Sequence, residues 1–359
     1  MRNILIATAI AILMFMGCGI FQPKPISISQ SDLESYPNLI QASPDYYLEF
    51  IGLKNFTAQQ IVDTMRLRQG DSITGARVLN ACSAVMQHDL GFEYSSTTYV
   101  RPNYGYITLI ENKADYGILE KELPDDSLDT ISEWNIPGKD LHDFANQNAL
   151  AFYLQFLRTD GNELSMKYKI VYNKFADDEE KTFTDGLLDH INGLDMNSAL
   201  PQARNILNKD ANLVNRYWAL LILMRSEPTD EDLKLIFEQY YFNNNSLKNF
   251  TSYVLRETLK LRPDFEWKYV TEPVKNLISG SAIWDYDIIL QFLTDFNFPS
   301  KLSDEILDHR SPILHDYLNA HESDMSKLAF KFLQNISEED LDNKKEANQW
   351  LTSQYLSTQ

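Results

Sequence analysis

The sequence predicts a small α+β N-terminal domain followed by a mainly α C-terminal domain. Two strand-like stretches, 93–101 and 104–112, face each other across "RPNYG". From about residue 140 onward, most apolar residues recur with helical period. The charge changes between these regions. Residues 44–113 hold seven Asp/Glu and six Lys/Arg, whereas 114–359 hold 42 and 24. Over 359 residues the net charge is −19, which argues against nucleic-acid partners because these are held by clustered Lys and Arg. An apolar fraction of 44% with 12% aromatics excludes a disordered chain.

The chain opens "MRNILIATAIAILMFMGCGIFQPKP". Arg2 supplies a basic start, and the 13 residues Ile4–Met16 form an apolar run. A helix spanning a bilayer needs roughly 20 residues, so this run reads as a targeting segment. Gly17-Cys18 ends it. That arrangement resembles a bacterial lipoprotein signal peptide, in which a small residue precedes a cysteine that is acylated and becomes the mature N-terminus. The resemblance implies a signal peptide over 1–17, a lipid anchor at Cys18 and a periplasm-facing place in the cell envelope. Gly19 after the cysteine favours the outer membrane by the family's sorting habit. An ordinary secretory signal and a signal anchor stay open. Residues 18–44 contain Pro23, Pro25, Pro37 and Pro44 among many Ser and Gln, and are expected to form a flexible tether. The one other cysteine, Cys82, lies on an apolar helical face and reads as a buried thiol.

The stretch 45–113 then gives its elements in order. "YYLEFIGLKN" is aromatic and β-branched, with Gly52 turning out of the strand. Thr57 caps a helix whose apolar face is Ile61, Met65 and Leu67, ending at Gly70. A second helix is expected from Thr74 to His88, stopped by Gly91, and the two strands about "RPNYG" complete β-α-α-β-β. The landmarks "FIGLKNFTAQQI", "RQGDSIT", "DLGFEY" and "YITLIENK" together resemble a POTRA domain, the periplasmic module of outer-membrane barrel insertases, secretion transporters and some division proteins. The resemblance implies that strand 104–112 lies inside the sheet and strand 93–101 at its edge. "EYSSTTYVR" has strand propensity without a continuous apolar face, as a soluble edge strand requires. Its Tyr94, Ser96, Thr98 and Val100 are the candidate partner-binding residues, by addition of a partner's strand. A polar edge that binds nothing is the alternative.

Residues 114–139 carry "LPDDSLD" and "NIPGKD" and read as a linker. In 140–359, an acidic helical domain, the most informative block is "KDANLVNRYWALLILMRS", where Asp210 is expected to open a helix ahead of Arg216, Ala219 and Leu223. That spacing resembles the second helix of a HEAT-like repeat, and helices near 246–261 and 282–296 continue the series, with intervening helices at 229–242, 266–279 and 301–309. The resemblance implies an α-solenoid of degenerate repeats. Segment 150–175 fits either helices or a hairpin about Asp160-Gly161.

Chemistry is not evident. The six histidines form neither HExxH nor a zinc spacing with Cys, and His315 and His321 are expected at exposed helix ends. "ADDEEK" and "PDDSLD" lack EF-hand spacing. No cofactor, metal site or catalytic residue is assigned, and an envelope hydrolase with unrecognised carboxylates is the weaker alternative. The expectation is a lipid-anchored interaction protein of the cell envelope, with other envelope proteins and the membrane as partners. A signal-anchored POTRA protein of the division type is the rival.

Overall fold

The computed structural model describes residues 25–43, 46–65, 86–128, 191, 193–321 and 324–353; the side chains of 95–101 and of 324 lie outside that description. The coarse expectation holds: a small sheet near the N-terminus and a mainly helical remainder. Cys18, Cys82, the segment 150–175 and most of the helix expected over 74–88 lie outside the described residues. Contacts divide the chain into two compact units, one over 121–269 and one joining 22–120 to 270–359. The second unit therefore takes in helices that the sequence pattern assigns to the repeat domain.

In that second unit, α1 (Gln30–Ser35), β1 (Leu39–Ser43), β2 (Tyr46–Ile51), α2 (Ala58–Thr64), β3 (Tyr94–Arg101) and β4 (Tyr104–Ile110) follow in order. The expected tether is thus partly built into the fold. Ser29 and Asp32 close a capping box on α1, and β1 pairs antiparallel with β2. The sheet order is β1-β2-β4-β3, with β2 and β4 parallel and the other pairs antiparallel. β4 is interior and every residue in it is buried. Thr57 caps α2 as expected, in a capping box with Gln60.

Alternation along β2 and β4 sends two sets of side chains to opposite faces. One face carries Tyr46, Leu48, Phe50, Ile107 and Leu109, packed with Ile61, Met86 and Phe92. At the end of β4, the buried Glu111 carboxylate accepts the backbone N–H groups of Lys54 (2.8 Å) and Asn55 (2.9 Å), holding the loop between β2 and α2. The other face meets α10 (Ile313–Asn319), which packs among the remaining C-terminal helices α7 (Thr271–Ile278), α8 (Tyr286–Asp295), α9 (Ser303–Ile306), α11 (Asp324–Ile336) and α12 (Lys344–Leu351); α3–α6 belong to the first unit. Tyr317 of α10 meets the sheet directly. Its hydroxyl lies 2.5 Å from Thr108 Oγ1, its ring stands perpendicular to Tyr106, and Tyr286 of α8 stacks on it at 5.2 Å. Burial raises the Tyr317 hydroxyl above the ordinary phenol range.

The unit over 121–269 contains α3 (Met196–Lys209), α4 (Leu213–Arg225), α5 (Asp230–Glu238) and α6 (Asn245–Leu261). Helix α4 is its centre, with Asn215 to Met224 all buried. Asn212, not Asp210, caps α4. Asp210 ends α3 instead, and its buried carboxylate accepts from Leu128 N (3.1 Å), Asn212 N (2.8 Å) and Asn215 Nδ2 (2.6 Å). The expected linker is pinned over its described part. The side chain of Asn276 holds both backbone groups of Leu119 in the second unit, and Lys121 bonds Tyr241 and Asn243 in the first. Of the aromatics between 239 and 253, Tyr240 and Phe250 are buried, while Tyr241, Phe242 and Tyr253 are partly exposed.

Candidate partner-binding edge

β3 owes its position to the turn at Pro102-Asn103, which returns the chain antiparallel to β4 from Tyr94↔Ile110 to Arg101↔Tyr104. The register slips between Tyr99 and Arg101, a bulge at the end of the strand. β3 is terminal in the sheet, and no described strand pairs with its outer side. In an antiparallel strand, alternate residues direct both N–H and C=O away from the neighbour, so about half of the eight residues offer hydrogen bonds outward. The opposite edge is β1, shorter at five residues and bulged between Gln41 and Ser43.

The four candidate residues separate. Ser96 and Thr98 lie in the strand opposite Thr108 and Tyr106, and Val100 follows within the bulged end. Tyr94 is buried at 7% exposure. Its hydroxyl donates to Glu120 Oε1 (2.6 Å), the Lys113 ammonium sits 4.3 Å over its ring, and the half-exposed Trp284 meets it edge-on at 5.3 Å. Tyr94 therefore fixes the start of β3 from within, and Trp284 is the aromatic surface beside it. Sequence spacing gives no sign of Trp284, which is nearly two hundred residues away.

A second constellation escapes the sequence reading altogether. Glu49, on the helix-covered face of β2, is 3% exposed. Its carboxylate accepts the Tyr104 hydroxyl and the backbone N–H of His321 (3.0 Å). Burial pushes its pKa up to about 7 against the pull of those two hydrogen bonds, and the nearby Asp316 charge adds to the rise. His321 is a correction to the expected exposed helix end: its side chain is 14% exposed, lies 3.8 Å from Asp32 and meets the Tyr36 ring edge-on. The signal available was an acidic residue inside "YYLEFI", where alternation puts Glu49 on the face opposite Leu48 and Phe50.

Among the described residues, no group of three or more His, Cys, Asp or Glu side chains is placed to hold a metal ion. Nor is any described helix long and apolar enough to cross a membrane. No protein-family model, curated protein or solved structure matches the chain.

Proposed function

We propose that this chain is a lipid-anchored interaction protein of the bacterial cell envelope, with a POTRA-like sheet and a HEAT-like helical domain. The observation that carries the reading is the strand order. An interior β4 flanked by a terminal, sparsely apolar β3 leaves an eight-residue edge on which a partner strand can add. Anchoring is supported by the Gly17-Cys18 ending of the apolar leader, and the helical-repeat reading by the pairs α3–α4 and α5–α6 around a buried Arg216. Outer-membrane protein assembly and secretion are the settings in which strand addition to such a module is useful.

Photo-crosslinkers placed at Ser96 or Thr98 in cells are expected to trap one discrete envelope protein. The same probe at exposed positions of α12, such as Lys345, should trap none of it. Equal trapping at both places, or none at either, refutes the edge. Separately, Cys18→Ser is expected to abolish acyl labelling and partitioning into detergent.

A further inference from the structure

The segment between the cysteine and the sheet fixes which end of the second unit meets the membrane. Asn103, in the β3–β4 turn, clamps both backbone groups of Ile26: it accepts Ile26 N–H at 3.0 Å and donates to Ile26 C=O at 2.8 Å. From that clamp onward the chain stays bound to the unit. Asp32 lies 3.8 Å from His321, Asn38 Nδ2 donates to Asp316 (3.3 Å), Asn38 C=O accepts Phe50 N–H (2.9 Å), and β1 pairs with β2. The slack between Cys18 and Ile26 is therefore only eight residues, which span at most about 28 Å in any conformation. A unit of about 190 residues has a radius of gyration near 16 Å and is roughly 40 Å across. A leash shorter than the body it holds cannot reach around it.

We propose that the β3–β4 turn, with Pro102, Asn103 and the clamped Ile26, is the membrane-proximal end of the second unit and faces a phospholipid surface. The opposite end, where β4 leads into the 3-10 turn at Lys113–Tyr116, points away. The proposal rests on acylation at Cys18. It orients the β3 edge as well, since a strand that ends at the turn runs toward the bilayer, and a partner strand added to it would lie along the same axis.

The test uses the full lipidated chain in a Cys82→Ser background, reconstituted in phosphatidylethanolamine–phosphatidylglycerol vesicles with a quencher on the headgroups. A fluorophore is attached at Pro102→Cys, at Ser27→Cys or at Ala114→Cys, all exposed positions. Quenching at 102 and 27 is expected to exceed that at 114 by at least about twofold, because seven residues of β4 separate the ends by about 20 Å. Adding Asn103→Ala, which removes both bonds to Ile26, is expected to shrink the difference. Equal quenching, or more at 114, overturns the orientation while co-flotation of the chain shows the anchor intact. If the chain does not float with the vesicles and its N-terminal peptide carries no acyl mass, the anchor fails and the orientation falls with it.

Discussion

Glu49 is an ionisable group held away from water between a strand and a helix, and that makes the second unit sensitive to pH. Its carboxyl titrates near 7 in the fold and at 4.5 when free. The folded pKa is raised, so the stability tied to the protonated form is whole below pH 4.5 and is lost as pH climbs through about 7. The shift corresponds to roughly 3 kcal/mol. Denaturant unfolding of wild type and Glu49→Gln across pH 4.5 to 8 should show the variant gaining on wild type by about that much. A constant difference across the range would refute the assignment. Gly52 is a residue with one permitted identity. Its φ is +89°, and an added Cβ would sit 2.6 Å from the Leu109 carbonyl oxygen and collide with the Ile313 side chain. Its N–H also donates to Asp316 (2.7 Å). Gly52→Ala is expected to cost about 2 kcal/mol or more, read as a lowered denaturation midpoint.

At the scale of elements, Arg216 shows how a charged side chain joins helices. The guanidinium is buried, donating to Asp210 O (2.6 Å), Leu207 O (2.9 Å) and Gln239 Oε1 (2.6 Å), and lies 4.3 Å over the Phe242 ring. Burial pushes its pKa down to about 10, still charged at neutral pH. A lysine has neither the fork nor the plane to meet these partners, so Arg216→Lys is expected to destabilise the first unit by about 2–4 kcal/mol in thermal or urea unfolding. The importance of Arg216 is legible from its place in an apolar run, but Asp210 is not. The residue that opens the helix by sequence spacing closes the preceding one, because Asn212 stands nearer the first turn and takes the cap. β2, β3 and β4 are legible because alternation and "RPNYG" are local signals. β1 and α1 are hidden by four prolines and many serines, although Ser29-x-x-Asp32 is a capping signature, and β1 exists only through pairing with β2. Helical periodicity marks an apolar face on α10 but not its partner, so the cover over Glu49 and Thr108 is invisible in one dimension.

On the scale of the whole molecule, the sheet is not a free-standing module. One face of β4 and β2 is completed by helices from the last ninety residues, through Tyr317, Tyr286 and the backbone of His321. A chain ending at residue 120 would leave Thr108, Ile110 and the Glu49 carboxyl open to water. The fragment 22–120 is therefore expected to lack a cooperative thermal transition and to gain one when 270–359 is supplied as a second chain. A sharp transition for 22–120 alone, monitored by circular dichroism, would refute this. The same discontinuity sets an order of events in time. β1 to β4 precede α10 by about two hundred residues in the chain, so the sheet stays half-covered until the C-terminal helices have followed it into the folding compartment. Closing a contact over that sequence distance is slow compared with local helix formation. Until α10 arrives, one face of the interior strands is uncovered, the kind of exposed apolar surface that invites aggregation. Arrival of α10, rather than emergence of the strands, is the moment at which the edge strand acquires a rigid support.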